Sequence, residues 1–152
     1  MPFKKHNITL SCGRHVAVPE GIQTFIPLIG RMLKSAGVDQ SELVIVLLAG
    51  RQMRALNKRT LGHDHVTDVL TFDLTDHGGR KALVVAGEIY ICPAEARRNA
   101  RFYGQLFERE LLRYIAHGIL HLCGYDDATA SQRAHMQKEE DRLLSSHGDH
   151  RY

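Results

Sequence analysis

Two histidines four residues apart, His117 and His121, close an apolar helical stretch and run straight into Gly124-Tyr125-Asp126-Asp127. No other string constrains the chain so tightly. At this spacing the two imidazoles stand one turn apart on the same helix face. Gly124 offers a place for the helix to stop and the chain to turn back, and two carboxylates follow at once on the turn. A divalent metal asks for this arrangement: two nitrogens fixed by a rigid helix and a third ligand folded back towards them. Three protein ligands leave one coordination position open for water, which marks a catalytic rather than a structural site. The chain has ten histidines, so such a pair can arise by accident and be merely packed or solvated. The Gly-Tyr-Asp-Asp turn directly after it argues against accident.

The remaining sequence reads as one α+β (mixed α/β) domain over residues 1–152, large enough to bury a core without staples. Asn7–Leu10 and His15–Val18 read as short strands with Gly13 at the turn between them. After Pro19, the apolar positions Ile22, Phe25, Ile26, Ile29, Leu33 and Ala36 predict a helix stopped at Gly37. Leu43–Ala49 is a short β-branched apolar run and reads as a central buried strand. A second helix is predicted over Gly50–Leu61, with Met53, Ala55 and Leu56 for packing and Gly62 as stop. A polar loop at 63–65 leads to a strand carrying Val69, Leu70 and Phe72. The glycine-rich segment 76–81 reads as a mobile loop, and the returning strand 83–92 is expected to break at Gly87. Pro93 suits the first turn of a helix ending at Gly104. The next helix places Leu106, Leu111, Ile115, Ile119 and Leu122 in the core and delivers the two histidines, so the metal site sits on a helix of the C-terminal half. Thr129-Ala130-Ser131-Gln132 matches a capping box that opens a last helix to about Ser145, and 146–152 is expected to fray.

Composition narrows the function classes. The longest apolar run is far too short to span a bilayer, and the amino terminus has no signal-peptide core, so a cytoplasmic protein without a membrane partner is expected. Cys12, Cys92 and Cys123 are odd in number and far apart, which argues against a disulfide framework or a cysteine knuckle and fits a reducing compartment. Cys123, two residues past His121, points to nearly the opposite helix face and is expected as a buried side chain rather than a ligand. The net charge is +3. The positive residues gather in two clusters: Arg51, Arg54, Lys58 and Arg59, then Arg97, Arg98 and Arg101. Either is explained by a solvated helix face, and either would suit a polyanion.

Zinc peptidase helices carry a glutamate directly after the first histidine as general base. This chain has Gly118 there, so no side chain at that position can take a proton from water. A glycine in mid-helix costs up to about 1 kcal/mol relative to alanine, which implies a close approach to the backbone by another helix, by substrate, or simply by tight packing. A metal site lacking that glutamate can still hydrolyse a phosphodiester, because the ion acidifies a water and neutralises charge on the phosphate oxygens. A nearby arginine or lysine would assist.

These features resemble a known family, the YbeY-type bacterial metal-dependent endoribonucleases of ribosomal RNA maturation and ribosome quality control. The resemblance rests on His117-Gly118-Ile119-Leu120-His121-Leu122-Cys123-Gly124-Tyr125-Asp126, supported by Leu56-Asn57, Thr67–Phe72 and Gly87-Glu88-Ile89 in the family's order. It implies a mixed sheet of four or five strands flanked by helices, one zinc ion, and metal-activated hydrolysis of single-stranded RNA. The implied partners are a ribosomal RNA precursor, the small ribosomal subunit and an assembly GTPase. Two positions depart from the pattern. The family's third histidine ligand is replaced by Asp127; its position matches and aspartate is a legitimate zinc ligand, so the resemblance gives the set His117, His121 and Asp127 for both metal and catalysis. Asp126 competes for that place, and His147 and His150 are remote alternatives. The arginine that many members carry four residues after the equivalent of Asn57 is Leu61 here, leaving Arg59, Arg51, Arg54 or His63 as substitutes, with Arg59 the candidate. Two other readings remain: a metallopeptidase-like hydrolase, which Gly118 disfavours, and a non-catalytic ribosome-assembly factor braced by its metal.

Overall fold

Leu43, Ile45 and Leu47 are fully buried at every second position of β2 (Gln40–Leu47), the inner strand around which the sheet is built. The computed structural model describes residues 5–62, 68–75 and 83–145. β1 (His6–Cys12) runs parallel along one side of β2, and β4 (Val84–Ile91) runs parallel along the other, with Ile45 beside Ile89. β3 (Val69–Asp73) is antiparallel to β4 on the outer edge, giving the order β1-β2-β4-β3. The expected mixed sheet is thus present, with four strands.

Helices cover both faces. α1 (Phe25–Ser35), entered through a 3-10 turn at Ile22–Thr24, buries Phe25, Leu28, Ile29, Met32 and Leu33 in the main core. α4 (Phe107–Leu122) adds Leu111, Leu112, Ile115, Ile119 and Leu122, and α5 (Ala130–Ser145) adds Met136, Leu143 and Leu144. By the two-residue strand period, Leu70, Phe72 and Tyr90 point away from that core. There they meet Met53 and Leu56 of α2 (Gly50–Leu61) in a second cluster. α3 (Pro93–Tyr103) begins at its proline and ends at Gly104, whose φ of 64° needs no Cβ-bearing residue. No helix among the described residues is long and apolar enough to cross a membrane.

Four expectations are corrected. His15–Val18 is not a strand. β1 continues to Cys12 opposite Leu47, and the Gly13 amide donates to the Leu47 carbonyl, so the partner is β2 and not a hairpin neighbour; His15 then turns the chain at a φ of 64°. β4 does not break at Gly87, which is a buried strand position; a Cβ there would meet the Leu122 side chain at 2.6 Å and the Phe72 carbonyl at 2.9 Å. Ala55 is exposed rather than packed, and Leu106, expected in the core, is the exposed residue that caps the start of α4. The expected loops at 63–65 and 76–81 and the tail 146–152 lie outside the described residues.

Candidate metal centre

The site forms where the C-terminal half of α4 crosses the edge strand β3. Gly118 brings the helix down onto the sheet: a Cβ there would lie 2.6 Å from Cδ1 of Ile89 on β4. The close approach inferred for this glycine is therefore tight packing on the sheet, with neither a helix nor an open substrate surface opposite. Gly118 and Gly87 are complementary gaps, filled by Ile89 and Leu122 from the facing element. One turn further on, the helix ends in a Schellman arrangement. The Gly124 amide donates to the His121 carbonyl and the Tyr125 amide to the Leu120 carbonyl, with Gly124 at a φ of 100°. This reversal returns Asp127 to the two histidines.

The distances test whether these residues suit a metal. The Nε2 atoms of His117 and His121 are 3.0 Å apart, and Asp127 Oδ2 lies 3.2 Å from the first and 3.4 Å from the second. Ligand atoms placed tetrahedrally about one zinc at ordinary bond lengths stand roughly 3.3 Å apart. The tautomers agree. His117 Nδ1 faces Glu140 Oε2 at 2.6 Å and His121 Nδ1 faces the Tyr125 carbonyl at 3.0 Å. Both partners only accept, so each Nδ1 carries the proton and donates, leaving lone pairs on both Nε2 atoms. With both rings neutral, two lone pairs and a carboxylate oxygen converge on one point and repel each other until a cation, or a proton on one ring, lies between them. The cluster can hold a metal ion.

Glu140 is the site residue that sequence reasoning missed. It is 23 positions from His117, so no local spacing joins them. Its one visible signal is that it interrupts the buried stripe Met136, Leu143 and Leu144 of α5 with a charge. Glu140 is itself held by Arg113, whose guanidinium donates to Glu140 Oε1 at 3.1 Å and to Asp141 Oδ1 at 2.6 Å. Burial opposes the His117 imidazolium, but the hydrogen bond and charge of Glu140, with Asp127 and Asp68 behind them, outweigh it and hold His117 above its ordinary value.

The cleft over the cluster is lined by Leu61, Asp68, Thr71, Asp73 and Leu122, besides the three converging residues. Leu61, which stands where the resemblance expects an arginine, does reach it. Arg59 does not line it; this exposed residue sits near Tyr90, where its charge partly offsets the upward push of burial and Glu88 on the phenol. Arg51 and Arg54 are exposed on the same helix and also stay outside the lining, and His63 lies outside the described residues, as do His147 and His150. Asp126 is exposed and lines a separate hollow with Tyr125 and His135. Cys123 takes no part in the cluster; it packs against the core, and burial pushes its thiol up to about 11. Arg113 lies beside His117, in a recess shared with Tyr114, Asp68 and Asp127.

The chain is similar to known proteins over most of its length. A family model described as Endoribonuclease YbeY matches residues 14–148. The endoribonuclease YbeY of Chlorobium phaeovibrioides is 37% identical over 145 residues, covering 95% of this chain and 89% of that protein. The endoribonuclease YbeY of Chlorobaculum tepidum is 42% identical over 99 residues, covering 65% of this chain and 69% of that protein. A solution structure from Thermotoga maritima is similar with a TM-score of 0.63 at 27% identity, over 91% of this chain and 87% of that one. On sequence and fold together, the chain belongs to the Endoribonuclease YbeY family.

Proposed function

We propose that this chain is a zinc-dependent endoribonuclease that cuts single-stranded RNA in ribosomal RNA precursors, with His117, His121 and Asp127 as its metal ligands. The observation that carries the reading is the convergence of two Nε2 atoms and a carboxylate oxygen within 3.4 Å of one another. A set of two imidazoles and one carboxylate, with room for a fourth ligand, suits zinc. The names of the family's members support the choice of RNA. On this reading the protein works in the cytoplasm as a single domain over 1–152, with the small ribosomal subunit and an assembly GTPase as partners and ribosome quality control as a second duty.

When bound, the ion supplies Lewis acidity, acidifying a water and offsetting charge that builds on the phosphate. The chain's own residues act by position. Glu140 and the Tyr125 carbonyl fix both rings so that their lone pairs face the cleft. Asp68, Asp73 and Asp127 make the described lining acidic, so a phosphodiester approaches only once positive charge has been placed among them. Arg113, in the neighbouring recess, is committed to Glu140 and Asp141 and acts by holding Glu140 against His117. Gly118, covered by Ile89, leaves no room for a peptidase-type base.

The test uses metal-loaded protein on labelled single-stranded and duplex RNA, with EDTA and with His117→Ala as controls. Cleavage of the single strand alone, abolished by both controls, is expected; equal cleavage by the variant would remove the reading. Leu61 in the lining favours a second reading, a metal-braced assembly factor. It predicts a large thermal stabilisation by zinc with no cleavage of either RNA.

A further inference from the structure

We propose that the end of α3 and the turn into α4 form a stacking platform for single-stranded RNA that leads away from the metal cluster, an inference resting on the endoribonuclease reading. Phe102 and Tyr103 are 81% and 66% exposed, and Leu106 beside them is 53% exposed. The two rings meet edge to face with centroids 4.9 Å apart, an arrangement that leaves ring faces open to solvent. Arginines are interleaved with them. α3 carries Arg97, Arg98 and Arg101 against the single acid Glu95, which pairs with Arg98, and the Arg97 guanidinium carbon lies over the Phe107 ring, 4.5 Å from its centroid. A helix C-terminus alone explains basic residues, but it gives no reason for two neighbouring aromatic rings in water. Open ring faces among guanidinium groups are the means by which proteins hold single strands without reading their sequence: bases stack on the rings and phosphates meet the cations.

The platform is continuous with the metal centre. Asn99, one turn before Phe102 and Tyr103 on the same side of α3, donates to the Tyr114 hydroxyl. Tyr114 in turn borders the recess that contains His117 and Asp127. From Phe107 to His117 the path along α4 is about 15 Å, a span that a few nucleotides cover. The strand whose phosphodiester sits at the cluster thus runs back towards the start of α4 and lays later bases on Phe102 and Tyr103. The interleaved charge favours this occupant over an apolar protein segment.

The experiment measures binding of two labelled single-stranded RNAs to the full-length, metal-loaded chain, read before turnover. One RNA is long enough to reach the platform, and the other fills only the cleft. Wild type is expected to prefer the long RNA. Phe102→Ala and Tyr103→Ala should each weaken the long RNA by about fivefold to a hundredfold and leave the short one unchanged. Arg101→Glu should weaken the long RNA and flatten its salt dependence. Abasic sites at the distal positions should lower wild-type affinity as the alanine variants do, with no further loss when combined with them. Equal binding of both RNAs by wild type, or variants that leave the long RNA unaffected, would overturn the platform, including the case in which the same variants instead lose a ribosomal protein. Binding behaviour as expected without cleavage of either RNA would leave the platform standing and remove the endoribonuclease reading.

Discussion

His117 Nε2 and His121 Nε2 stand 3.0 Å apart while the opposite nitrogen of each ring is committed to an acceptor, Glu140 for the first and the Tyr125 carbonyl for the second. Neither ring can relieve this meeting of lone pairs by moving its proton without breaking its own hydrogen bond. A cation between the rings, or an added proton on one of them, relieves it, and Asp127 completes the set from the turn.

Glu140 should therefore govern metal affinity without touching the metal. Glu140→Ala is expected to weaken zinc binding by about tenfold to a hundredfold, measured by competition with a chromophoric chelator. Arg113 keeps Asp141 as a partner in the variant, so cooperative unfolding should persist. Unchanged affinity would show that the His117 ring is held by packing alone.

Asp127 and Asp126 are separated by the same measurement. Asp127→Ala should lose tight zinc binding, whereas Asp126→Ala, whose side chain faces another hollow, should bind as wild type. The reverse pattern would reassign the third ligand.

Gly118→Ala should destabilise the fold, although alanine is the better helix former by up to about 1 kcal/mol. The new methyl meets Cδ1, Cγ1 and Cγ2 of a fully buried β-branched residue, Ile89, and overpacking of this kind costs about 1–3 kcal/mol. Removing Cδ1 with Ile89→Val should recover part of that loss, seen as non-additivity in urea unfolding of the single and double variants. Strictly additive costs would mean the helix shifts away from the sheet instead.

His117, raised above its ordinary value of 6.5 chiefly by Glu140 against the opposing pull of burial, gives a pH signature. A pKa raised on folding means the folded state holds the proton more tightly. In metal-free protein the resulting stability is fully present below that ordinary value and lost as pH rises through the folded one. Zinc binding runs the other way, because its ligands must be deprotonated. Between these two pKa values, the melting temperature in EDTA should fall with rising pH more steeply than in Glu140→Gln, while stabilisation by added zinc should grow. Parallel curves for the two proteins would contradict the coupling.

Elements whose signals are local were legible in the sequence. Gly50–Leu61 and Pro93–Tyr103 form helices with the bounds expected from Gly62, Pro93 and Gly104. The capping box also forms: Thr129 Oγ accepts from the Gln132 amide and Gln132 Oε1 accepts from the Thr129 amide. The two histidines and the glycine stop likewise announce their geometry in one contiguous string. What stayed hidden depends on distant partners. His15–Val18 alternates like a strand, but β1 had already found β2 some 35 residues away. Gly87 looks like a break until Leu122 fills its space. Glu140 reaches His117 only because α5 packs back on α4.

The most direct test of the metal centre is a cobalt(II) titration of the full chain followed by visible absorption. Saturation at one equivalent is expected, with the intense bands of a four-coordinate ion that are lost in His121→Ala. A spectrum that stays that of the hydrated ion, or one that saturates identically in the variant, would contradict the metal centre.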